Sequence, residues 1–133
     1  MNEVLQPEGW PRPVGYANGI SARGRLVFVA GQVGWDPSGN FPDGLVPQVH
    51  QALENVVAVL RAGGAEPRHI VRMTWYIVDR EKYREARGDI GRVYREVIGS
   101  TYSAMALVQV AGLLEARALV EIEATAVVPD KTG

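Results

Sequence analysis

Two carboxylates separated by one residue, Glu121 and Glu123 in L-V-E-I-E-A-T-A-V, are the side chains of this 133-residue chain best placed for acid–base chemistry. Val120, Ile122 and Ala124 alternate with Glu121, Glu123 and Thr125, so both carboxylates point to one face of a strand and the aliphatic residues to the other. Two readings fit this pattern. Either the strand is half-exposed with both carboxylates solvated, or one carboxylate stands at a junction between subunits. At a junction, partial burial favours the protonated form and suits the group to general acid–base work. The histidines, His50 and His69, have no second His and no carboxylate at ligand spacing, and both are expected to be structural or solvent-facing. H-E-x-x-H, G-x-S-x-G and G-x-x-x-x-G-K-[ST] are all absent, and so is cysteine. No metal site, no cofactor and no thiolate nucleophile are therefore expected.

The stretch T-Y-S-A-M-A-L-V-Q-V-A-G-L, residues 101–113, is nearly all apolar, with Gln109 its one strongly polar side chain. It reads as a buried strand that precedes the carboxylate strand, and it raises the question of whether it lines a site. The whole chain is 47% hydrophobic and 22% charged with a net charge of −1. Such a balance exerts no global pull toward nucleic acid or an anionic membrane. Acidic Glu81, Glu85, Asp89 and Glu96 interrupt the basic residues of 80–98, which argues against a nucleic-acid groove. No apolar run is long enough to span a bilayer, and the first residues lack a signal-peptide core, so a cytoplasmic location is expected.

The elements that must position these residues follow from periodicity. Residues 1–13 hold three prolines and read as an irregular lead-in. Segments 15–20 and 25–35 read as strands joined by S-A-R-G into a hairpin, and 36–44 reads as a loop. Val46, Val49, Leu53, Val56, Val57 and Leu60 recur at helical steps until A-G-G at 62–64 ends the helix. Strand 69–79, a second helix over 80–98, and strands 103–110 and 119–128 follow, with 129–133 a flexible tail. The order β-β-α-β-α-β-β in one domain, 1–133, predicts an α+β fold, a mixed sheet with both helices on one face. Met73, Trp75 and Ile77 but also Tyr76 and Val78 are apolar, so the other sheet face needs a cover, and a second copy of the chain is expected to supply it.

In order and spacing, G-Y at 15–16, V-F-V-A-G-Q-V-G at 27–34, Q-V-H-Q-A-L-E-N-V at 48–56, G-G-A-E-P-R-H-I-V-R-M-T-W-Y-I-V-D at 63–79, V-Q-V-A-G-L at 108–113 and A-L-V-E-I-E-A-T-A-V at 118–127 resemble one known family. It is the reactive-intermediate deaminase, or Rid, family, also called YjgF-like and endoribonuclease L-PSP. The resemblance runs from about Gly15 to Val127. It implies a chorismate mutase-like fold, a homotrimer with pockets between subunits, and a small-molecule ligand. It also implies hydrolysis of imine or enamine intermediates to keto acids and ammonia.

Carried over by position, the resemblance puts the pocket tyrosine at Tyr16 and the water-orienting glutamate at Glu121. The family's S-G-Q becomes Ala30, Gly31 and Gln32. Its carboxylate-binding arginine, in A-R-S-x-x-x-V-A-x-L-P, falls on Met105, beside Leu107, and the proline on Leu114. A thioether cannot replace a charge-assisted arginine–carboxylate pair, so Met105 turns the anchor into an adaptable apolar wall. Arg87 or Arg92 on the second helix would be the replacement cation; the family's polar pocket position there falls on Arg87 or Gly91. Three functions stay open: an atypical imine or enamine deaminase, a non-catalytic binding or scaffold trimer, and, with little support in the sequence, an endoribonuclease.

Overall fold

The computed structural model describes residues 2–131, so part of the tail expected over 129–133 lies outside the described residues. Strands β3 (Arg25–Val33), β4 (Ile70–Ile77), β5 (Ala104–Gln109) and β6 (Val120–Val128) form one sheet in the order β3-β6-β4-β5. β6 runs antiparallel to both neighbours and β4 pairs parallel with β5, so the sheet is mixed, as the alternation of helices and strands predicts. Helix α1 (Leu45–Ala62) packs on β3 and β6, and α3 (Arg87–Val97) packs on α1, both on the same side. No helix is long and apolar enough to cross a membrane among the described residues.

Burial follows the two periods. Val49, Leu53, Val56 and Leu60 of α1 are fully buried, and they meet Met73, Trp75 and Ile77 of β4 and Val120, Ile122 and Ala124 of β6. Gly64, at φ 74, takes the left-handed conformation that ends α1. Among the described residues the opposite sheet face carries no helix. Its centre is polar, with Arg72, Thr74 and Tyr76 beside Glu121, Glu123 and Thr125. Its apolar content sits at the edges, where Phe28 and Leu26 of β3 and Val108 of β5 are exposed.

Four readings of the sequence need correction. Segments 15–20 and 25–35 do not form a hairpin. Within the first, only β2 (Gly19–Ser21) is a strand, and it pairs antiparallel with β1 (Glu3–Leu5), which lies inside the supposed irregular lead-in. The turn at Gly24, φ 147, packs so closely on Val128 that a Cβ there would stand 2.8 Å from its carbonyl carbon. That turn sends β3 along β6 from Arg25↔Val128 to Val33↔Glu121, a pairing far longer than a three-residue hairpin. The second helix is two helices, α2 (Arg80–Glu85) and α3, which meet at Ala86. Asp79 caps α2 through its side chain, yet α2 buries no residue, while α3 buries Ile90, Val93 and Tyr94. The break lets α3 lie flat on the core. Finally, His50 does have a carboxylate partner, since its Nδ1 lies 2.8 Å from Glu54 Oε1 one helical turn away on the surface.

His69 closes a short turn before β4. Its Nδ1 accepts from the Glu66 backbone N–H at 3.0 Å, so the ring is held neutral at that nitrogen. Burial, reinforced by the Arg68 charge, holds its pKa below the ordinary 6.5, with Glu66 partly opposing. Below pH 6.5 the unfolded chain therefore binds the proton more readily than the folded one, and stability falls as pH drops through that region. The urea midpoint should decline between pH 7 and 5, and His69→Asn should flatten that decline. Equal slopes in the two proteins would remove His69 from the acid response.

Candidate active site

The carboxylate half of the site is built where β3 departs from regular pairing. The register between β3 and β6 shifts between Val29 and Gln32, so Ala30 and Gly31 form a bulge beside Glu121. Glu121 is half-buried and its side chain lies across Gly31, where a Cβ would stand 2.8 Å from the carboxylate carbon. Only glycine leaves that space. Along the same face, Tyr76 donates its O–H to Glu123 Oε1 at 2.8 Å. That bond, then burial, raises the phenol's pKa above its usual value. Ala30, Thr74, Glu123, Thr125, Arg72 and Phe28 border a depression of about 440 Å³ beside it.

The tyrosine half lies at the other edge of the sheet. Gly15 turns the chain at φ 81, and the Ala17 N–H donates to the Ser103 carbonyl at 2.9 Å, an extension of the sheet beyond β5. This docking sets Tyr16 against β5. Gly15, Tyr16, Met105, Ala106 and Leu107 line a cleft of about 230 Å³. Met105 and Leu107 pair in register with Met73 and Trp75, so they point to the helix side, the face away from Glu121. β6 and β4 stand between β3 and β5, which places Ala30 and Met105 about 14 Å apart at strand spacing. One chain therefore carries two separate halves: Ala30, Gly31 and Glu121 in one, Tyr16, Met105 and Leu107 in the other.

Arg87 is exposed at the first position of α3, near Tyr83, and lines neither half. Arg92 is paired with Asp89. Gly91 faces Arg95, whose Nη1 would lie 3.4 Å from a Cβ there. Among the described residues no cluster of three His, Asp or Glu converges as a metal site would require.

Sequence reasoning overlooked two features. The Tyr76–Glu123 pair was hidden because Tyr76 counts as apolar, although the alternation Arg72, Thr74, Tyr76 opposite Met73, Trp75, Ile77 places it on the polar face. Gln48 is buried, and its side-chain amide holds three backbone groups. Nε2 donates to the Pro42 and Arg117 carbonyls at 3.2 and 3.1 Å, and Oε1 accepts from the Leu119 N–H at 2.8 Å. Asn55 donates likewise to the carbonyls of Val33 and Trp35, at 3.0 and 2.8 Å. Asn55 thus holds the end of β3 just beyond the bulge, while Gln48 ties the loop before α1 to the turn before β6. The signal was present, since Gln48 sits in the apolar stripe beside Val49 and Ala52.

Fold and site together define an α+β protein whose helix-free sheet face presents a carboxylate over a glycine bulge. The endoribonuclease L-PSP family model matches residues 11–128. The chain belongs to this family, the Rid or YjgF-like proteins. It is 35% identical to a RutC family protein from Pyrococcus horikoshii, covering 95% of this chain and 98% of that protein. It is 31% identical to mouse 2-iminobutanoate/2-iminopropanoate deaminase, covering 96% and 92%. A Rid-family crystal structure from Yersinia pestis, of unknown function, superposes with a TM-score of 0.84 at 31% identity, covering 96% and 98%.

Proposed function

We propose that this protein hydrolyses imines or enamines to carbonyl compounds and ammonia, in pockets that form between subunits of a homotrimer in the cytoplasm. The observation that carries this reading is Glu121, half-buried and held over Gly31 on the uncovered sheet face. The carboxylate takes a proton from water as the oxygen attacks the C=N carbon. It returns that proton to nitrogen to give the carbinolamine, then takes the carbinolamine hydroxyl proton and passes it to nitrogen too, so that the C–N bond breaks to release ammonia and leave the carbonyl; an enamine enters through its imine tautomer. The backbone at Ala30 and Gly31 orients the substrate on this side. Tyr16, Met105 and Leu107 would come from the neighbouring subunit, because in one chain they face the other way. Relatedness to the mouse deaminase supports the reaction class. A net charge of −1 gives no support to RNA cleavage.

A second reading, a trimer that binds small molecules without turning them over, is favoured by Met105 at the family's arginine position. One assay separates the two. Imines are generated in situ by an amino-acid oxidase from alanine, leucine, methionine and phenylalanine, and ammonia release is followed with and without protein. The wild-type protein is expected to accelerate release most for the larger apolar imines, which suit an apolar wall. Met105→Arg should raise kcat/KM for the alanine-derived imine about 10- to 100-fold, the worth of one charge-assisted pair. If neither protein accelerates any imine, hydrolysis is refuted and the binding reading stands.

A further inference from the structure

The far end of the sheet carries a cleft of its own, about 540 Å³ in volume, where β4 begins and β6 ends. At strand rise it lies about 25 Å along β6 from Glu121. Its walls are apolar: Val4 of β1, Ile20 of β2, Ile70 of β4, and Tyr102 and Pro129 in the segments beside them. Tyr102 is fixed by stacking on Tyr94, with 5.3 Å between ring centroids. Val4 and Tyr102 also border the space beside Tyr16, but Tyr16 itself does not reach this cleft. Two polar atoms in it lack partners. His69 lines the cleft and is only 7% exposed. Its Nδ1 accepts from the Glu66 N–H, so the neutral ring carries its proton on Nε2, which donates to no group among the described residues. Asn2 also lines the cleft, and its Oδ1 is buried without a donor. Buried polar atoms in that condition are uncommon and costly. The charges at the cleft do not suit an anion: Arg68 is paired with Glu66 at 3.1 Å, and Asp130 adds a carboxylate.

We propose that this cleft binds a neutral carboxamide with a branched apolar body, the carbonyl accepting from His69 Nε2 and the N–H donating to Asn2 Oδ1. The apolar body rests on Val4, Ile20 and Ile70. A carboxamide is the simplest neutral group that offers an acceptor and a donor side by side, which is what the two unpartnered atoms require. The site is separate from Glu121 and does not depend on imine hydrolysis.

Three probes of one shape test it: 3-methylbutanamide, 4-methyl-2-pentanone, in which a methyl group replaces the amide nitrogen, and the anion 3-methylbutanoate. Binding to the full, isotopically labelled chain is followed by NMR. For so small a molecule the amide should bind with a Kd of about 1 mM, moving the backbone signals of Ile20 and Ile70 and the His69 Nε2 signal. The ketone should bind about 3- to 10-fold more weakly, the worth of one hydrogen bond, and the anion more weakly still. Asn2→Ala should weaken the amide to the level of the ketone and leave the ketone unchanged. Asn2 lies outside the strands and the core, so this variant keeps its fold. Ile20→Trp, which fills the cleft, should abolish binding of all three. Equal affinity for amide and ketone, tighter binding of the anion, or binding that survives Ile20→Trp overturns the proposal. A His69 Nε2 signal that moves with neither neutral probe overturns it as well.

Discussion

Glu121→Gln is expected to lower imine hydrolysis by about 10²- to 10⁴-fold, the usual worth of a general base, while the thermal transition stays close to wild type. The amide keeps the shape of the carboxylate but cannot take a proton from water. Among the described residues Glu121 accepts no side-chain hydrogen bond, and its carboxylate lies over Gly31, so little structural energy depends on it. Gly31→Ala tests the same geometry from the other side. Its backbone φ is not in the left-handed region, so alanine suits the chain. The new methyl group displaces the free end of a flexible side chain, not backbone. Stability should change by less than about 1 kcal/mol. Activity should still fall severalfold or more, because a misplaced base is a poor base. A Glu121→Gln protein with wild-type kcat would end the general-base assignment, and a fully active Gly31→Ala protein would remove the bulge from it.

Gln48→Leu should be the most destabilising polar-to-apolar change in the chain, at about 3–5 kcal/mol. It leaves the part-buried Leu119 N–H and the Pro42 and Arg117 carbonyls without their partner, and each such group costs up to about 1–3 kcal/mol. Against a total stability of about 5–15 kcal/mol that is a large fraction. Leucine adds no compensating space, since Gly34 already lies against the helix, where a Cβ would stand 2.6 Å from the Gln48 carbonyl oxygen. The loss should reach the site as well, because the amide ties the loop before α1 to the turn that leads into β6. Chemical denaturation reads the energy directly. A shift below about 1 kcal/mol would show that water satisfies these groups when the amide is gone.

What the residues determined by themselves is what short-range periodicity can carry. The helical steps from Val49 to Leu60 and the alternation through Met73–Ile77 and Val120–Ala124 each mark a buried face, and the structure buries those faces. The same alternation put Glu121 and Glu123 together on the face that helices do not cover. Family resemblance was legible because its pieces recur in order along the chain.

Tertiary structure decided the rest. Whether Gly19–Ser21 pairs with β3 or with Glu3–Leu5 depends on which partner offers the longer register, and β6 wins β3 from 88 to 103 residues away in sequence. The break at Ala86 follows from where the core lies relative to α3. Gln48 shares the apolar stripe of α1 in sequence, but its three hydrogen-bond partners reach it only when the Pro42 loop and the Arg117–Leu119 turn fold over it. The two halves of the candidate site face apart because a sheet has two sides and two edges, a property of the assembled sheet and of no single strand.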